Sequence, residues 1–90
     1  MDDNIKQRIV DASERAARAA ERTARAHEKA AEAHEGHAEV AEQIGENLRD
    51  AHRAREQAQR TRSAAAKDRS IAAQERAIVS RLDADDERSD

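Results

Sequence analysis

The chain contains no cysteine, no proline and no aromatic residue, and only two of its 90 residues are glycine. Without cysteine there is no disulfide framework and no thiolate metal site, a composition that suits a reducing compartment. Without proline nothing obliges a long helix to kink or stop. With no Phe, Tyr or Trp and only ten Ile, Leu or Val, there is little bulky material for a core, and 90 residues make one domain at most. No run of 18 apolar residues exists, so no transmembrane helix is expected. The start Met1-Asp2-Asp3-Asn4 lacks the basic and then apolar order of a signal peptide. These absences lead us to expect a cytoplasmic protein without membrane contact.

What the chain has is alanine and charge. Charged residues make up 41% of it, mean hydropathy is -1.16, and the net charge is only -3. Few aliphatics with a high net charge signal disorder; here the net charge is low and the filler is the best helix former, so helix is expected. From Ile5 to Ile44 a small or apolar residue recurs at spacings of four and three: Ile5, Ile9, Ala12, Ala16, Ala19, Thr23, Ala26, Ala30, Ala33, His37, Val40 and Ile44. Such a heptad stripe argues for a long helix lying along another helix, brought close by its alanines.

Gly36 and Gly45 are the two candidate breaks. Gly45 follows Ile44 as a C-terminal cap should, and Asn47 can cap a new helix with Asp50 at its third position. The expected fold is all-α, an antiparallel two-helix hairpin forming an Ala-rich coiled coil: helix 4–44, turn 45–47, helix 48–82. Ala51, Ala54, Ala58, Thr61 and Ala65, then Ile71, Ile78, Val79 and Leu82, continue the seam in the second arm. Folding about Glu46 sets Ile9 by Leu82, Ala12 by Val79, Ala19 by Ala72, Ala26 by Ala65, Ala33 by Ala58 and Val40 by Ala51. It also sets Asp68 and Glu75 beside Arg22 and Arg15, predicting bridges that fix register. The arms carry net charges of -4 (residues 1–48) and +5 (residues 49–82), and the acidic segment 83–90 is expected to be disordered.

Fourteen arginines against three lysines, with abundant alanine, give the chain the texture of the small Ala/Arg/Glu-rich helical proteins of high-GC, actinobacterial-type bacteria, which it resembles in composition. The hairpin architecture is also similar to the small WXG-type helical hairpins, although Gln43-Ile44-Gly45 stands where that family has its tryptophan motif.

A seam of alanine buries little, so a lone hairpin is marginal and needs a further surface to cover it. Val10, read as one position off the seam, and Ile71 and Ile78, beside Ala72 and Val79, leave aliphatic surface at the open end. A second copy completing a four-helix bundle, or another helical protein, is the expected partner. Glu28, Glu32, Glu35 and Glu39 form an acidic stripe opposite the seam, either a solvated face or a docking strip for a basic partner. Arg49, Arg53, Arg55, Arg60 and Arg62 cluster at the start of the second arm and could contact phosphates, which makes an accessory role on nucleic acid the rival reading. His34, His37 and His52 are weak metal candidates, with His37 placed on the seam and His34 flanking it. No cofactor motif, phosphate loop or nucleophile elbow occurs, and a non-enzymatic interaction module is expected.

Overall fold

The computed structural model describes residues 2–45 and 48–89. Two helices, α1 (Asp3–Gln43) and α2 (Leu48–Ser89), pack antiparallel along their whole length. The hairpin is a rod of 68 × 17 × 13 Å. Alanine-rich sequence free of proline lets both helices run unbroken, since neither a missing N–H nor a ring clash interrupts the ladder. At the start of α1 the Asp2 carboxylate accepts from the Asn4 N–H at 3.0 Å, satisfying one of the otherwise open donors, and Asp3 adds a favourable charge in the first turn.

Gly36 sits inside α1, whereas Gly45 adopts φ +69° just beyond its end. There the Ile44 N–H donates to the Val40 carbonyl (3.1 Å) and the Gly45 N–H to the Glu42 carbonyl (3.2 Å). The left-handed step, which a Cβ would disfavour, lets the chain leave α1 with these carbonyls occupied. The expected cap at Asn47 and the fold axis at Glu46 lie outside the described residues.

The seam of α1 differs from the expected one by a single residue. The buried residues are Ser13, Ala17, Ala24, Ala31, Ala38 and Ala41, with Ala20, His27 and His34 half-buried between them. Ala12, Ala19, Ala26, Ala30, Ala33 and Val40 are exposed. In α2 the buried line is the expected one except at Ile71 and Ile78, which stand exposed one position before the seam residues Ala72 and Val79; Ala51, Ala54, Ala58, Ala65 and Ala72 are inside and Thr61, Asp68, Glu75, Val79 and Leu82 half-buried. The pairing therefore moves by one as well: Ala38 and Ala41 join Ala51 and Ala54 in one cluster, and Val40 does not meet Ala51.

One residue on a helix is a rotation of about 100°. α1 carries two parallel stripes of small residues with the same alternation of four and three, so spacing alone does not choose between them. Charge does. Labelling positions a to g with a and d buried, position e of α1 holds Glu14, Glu21, Glu28, Glu35 and Glu42. Position e of α2 holds Arg55, Arg62, Arg69 and Arg76. In an antiparallel pair these two flanks face each other, and only the observed rotation brings the acids to the arginines.

α2 also runs to Ser89, past the expected end at Leu82. The acidic segment keeps the heptad rhythm of Val79, Leu82 and Asp86. Lys6 on the first turns of α1 bridges both Asp83 (3.2 Å) and Asp86, which ties the last turns of α2 to α1. A segment expected to fray on charge grounds is thus held by one lysine between two acids.

Candidate functional site

The hairpin has two unlike sides. On the first, where the e positions meet, Glu21 bonds Arg76, Glu28 bonds Arg69, Glu35 bonds Arg62 and Glu42 bonds Arg55. The partners step by seven along each helix in opposite directions, one bridge every two turns. The hydrogen bond from Arg76 holds the Glu21 carboxyl below its ordinary value, outweighing the desolvation that pushes the other way. Arg69, Arg62 and Arg55 do the same to Glu28, Glu35 and Glu42, and each arginine is pushed up in turn. At the open end the bond to Asp86 raises Lys6.

The second side, where the g positions meet, has no such ladder among the described residues. From α1 it presents the c and g positions, which are the stripe from Ile5 to Ile44 singled out by periodicity, now facing outward except at the half-buried Ile9 and Ala16. From α2 it presents Ala64, Ile71 and Ile78 at g. Among the described residues six large aliphatics stand exposed: Ile5, Val40, Ile44, Leu48, Ile71 and Ile78. All but Leu48 are on this side. Exposed apolar groups gathered on one face, with only Leu48 on the opposite one, mark an interaction surface more than scattered ones do.

The sequence-derived candidates redistribute over these two sides. Ile71 and Ile78 are exposed on the apolar side, at 47% and 38% of their full surface. Val10 is half-buried on the seam itself, contrary to its expected place beside it, because the whole seam is one residue further on. Glu28 and Glu35 are not a free docking strip, since Arg69 and Arg62 occupy them; Glu32 and Glu39 point outward. The expected bridges Arg22 to Asp68 and Arg15 to Glu75 do not form. The rotation carries Arg15 and Arg22 to the outer surface, and Asp68 instead meets His27 Nδ1 at 2.9 Å.

The arginine cluster at the start of α2 is divided: Arg55 and Arg62 turn to Glu42 and Glu35, Arg60 lies 3.7 Å from Glu56, and Arg49 and Arg53 are on the exposed surface. His34 is on the seam and His37 outside it, the reverse of the expected order, while His52 pairs with Glu56 at 2.9 Å. The three histidines are not brought together, and no group of three metal-ligating side chains converges among the described residues. The signal for the ladder that periodicity missed was in the charges: glutamate at 21, 28, 35 and 42, arginine at 55, 62, 69 and 76.

No known protein family, curated protein or solved structure matches this chain. No helix among the described residues is long and apolar enough to cross a membrane.

Proposed function

We propose that the protein is a non-enzymatic helical interaction module whose apolar side docks a helix of a partner. The single observation that carries this reading is the placement of Ile5, Val40, Ile44, Ile71 and Ile78 on one side of the rod, around the outward stripe of α1. An all-alanine seam contributes little burial per residue, because a methyl removes far less apolar area from water than a leucine side chain does. Covering the second stripe adds burial that the hairpin alone lacks. A helix suits the surface because a stripe of alternating four and three spacing is complementary to knobs repeating every 3.5 residues. A cytoplasmic setting belongs to the same proposal and rests on the absence of cysteine.

The rival role on nucleic acid through Arg49, Arg53, Arg55, Arg60 and Arg62 is less well supported, since Arg55 and Arg62 are hydrogen-bonded to glutamates of α1. Replacing Ile71 and Ile78 together by glutamate tests the docking reading. The variant should keep the helical circular dichroism of the parent and lose the protein that the parent carries when purified gently from its own cell. Retention of that protein by a folded double variant contradicts the reading.

A further inference from the structure

The apolar side is framed by positive charge. Along its α1 edge the f positions are Arg8, Arg15, Arg22 and Lys29, followed by the neutral Gly36 and Gln43. Along its α2 edge the c positions are Arg53, Arg60, Lys67, Arg81 and Arg88, interrupted only by Gln74. All nine basic side chains are exposed. The acids on the same side are Asp50 and Asp85, at the two ends of α2. A chain whose net charge is -3 thus concentrates its positive charge around one apolar strip and places most of its acids on the opposite side and along the seam.

The geometry points to an occupant of defined chemistry: a long amphipathic helix of a different protein, with an apolar heptad stripe flanked on both edges by glutamate or aspartate. This deepens, and rests on, the docking role proposed above. Charge complementarity selects the acid-flanked helix, because opposite charges along the rim steer encounter and like charges reject the wrong partner. It also argues against a second copy. Two hairpins meeting through this side would bring together their basic edges, Arg8 to Lys29 of α1 and Arg53 to Arg88 of α2, with acids only at Asp50 and Asp85 to relieve them. The length of the strip bounds the partner too: Ile5 to Ile44 spans about 58 Å at 1.5 Å per residue, so one helix of about five heptads covers most of it.

The test titrates the full chain with two synthetic peptides of about 35 residues, read by the fluorescence anisotropy of a dye at their N-termini. Both carry leucine at the two stripe positions of every heptad; one carries glutamate and the other lysine at the flanking positions. The acid-flanked peptide should bind at least about tenfold more tightly at low salt. The gap should shrink towards nothing in 1 M salt, where screening reaches within about 3 Å. Arg53→Glu, Lys67→Glu and Arg81→Glu in one chain should reverse the preference. If that variant is not helical, the neutral set Arg53→Gln, Lys67→Gln and Arg81→Gln should narrow the gap instead.

Equal affinity of the two peptides overturns the acidic-partner inference and leaves the docking role standing. Binding of neither removes the docking role itself. Tighter binding of a 20-base-pair DNA duplex than of the acid-flanked peptide overturns the inference in favour of nucleic acid. A dimer in sedimentation equilibrium that excludes the peptide overturns it in favour of a second copy.

Discussion

His27 Nδ1 stands 2.9 Å from a carboxylate oxygen of Asp68, joining the two helices from half-buried positions in the middle of a seam made mostly of alanine. A polar pair in such a place stabilises less than apolar side chains that fill the same volume, and is better placed to fix alignment. Uniform alanine layers leave a slide of one heptad nearly without penalty, and the pair penalises it.

Replacing both partners, His27→Leu with Asp68→Leu, should therefore raise the melting temperature. About 1 kcal/mol is expected, after allowing for partial exposure of the pair, or roughly 4–8 °C for a domain of this size. The same variant should lose alignment: a disulfide between cysteines placed at Ala38 and Ala54, members of one buried cluster, should form in lower yield than in the parent background. Thermal melts followed by circular dichroism and oxidised-band intensities on a gel give both quantities.

The Glu–Arg ladder makes a prediction about acid. The folded-state values of Glu21, Glu28, Glu35 and Glu42 lie below their ordinary value of 4.5. Groups of this kind bind protons more readily in the unfolded chain, so their contribution is fully present above pH 4.5 and is lost as pH falls through the lowered values. Melting temperature should decline below pH 4.5, and the decline should weaken in 1 M salt. Exchanging the charges of two rungs, Glu28→Arg with Arg69→Glu and Glu35→Arg with Arg62→Glu, should restore most of what either single-helix reversal loses. Additive losses in the four-fold variant would mean that these pairs do not interact.

Much of the hairpin could be read from the sequence, and the boundary of what could not is physical. Alanine content and the absence of proline imply helices, and α2's line through Ala51, Ala54, Ala58, Thr61, Ala65, Val79 and Leu82 reads correctly because one stripe there is clearly the smallest, whereas Ile71 and Ile78, drawn onto it by hydrophobicity, stand exposed beside it. In α1 the stripe through Ala19, Ala26 and Ala33 and the stripe through Ala17, Ala24 and Ala31 are equally small and equally periodic. The more apolar of the two, with Ile5, Ile9, Val40 and Ile44, suggests the inside by hydrophobicity alone. The glutamates at 21, 28, 35 and 42 decide against it, but only in the presence of arginines on the other helix, which is a relation between distant segments and not a local pattern. The tail misleads for a similar reason: Asp83 and Asp86 read as a solvated end until Lys6 is set beside them. The stripe that periodicity singled out thus lies on the outside, and its role as a docking surface is the proposal made above.

The two glycines should respond oppositely to alanine. A Cβ at Gly36 meets nothing within 4 Å and the backbone there is helical, so Gly36→Ala should stabilise by about 1 kcal/mol. Gly45 has equal space but φ +69°, so Gly45→Ala should destabilise by about 1 kcal/mol through backbone strain. Denaturant titrations of the two variants give the pair of signs.

The central claim, that α1 turns one stripe to α2 and offers the other to a partner, is tested most directly by scanning one heptad of α1 with a photo-crosslinking residue in the producing cell. Thr23, Ala26 and Ala30 lie on the outward stripe, Ala24 and Ala31 on the seam, and Glu28 on the ladder. The account predicts intermolecular adducts to one partner protein from positions 23, 26 and 30, with none from 24, 28 or 31. Adducts concentrated at 28, or the same adducts from 24 and 31 as from 26 and 30, would contradict it.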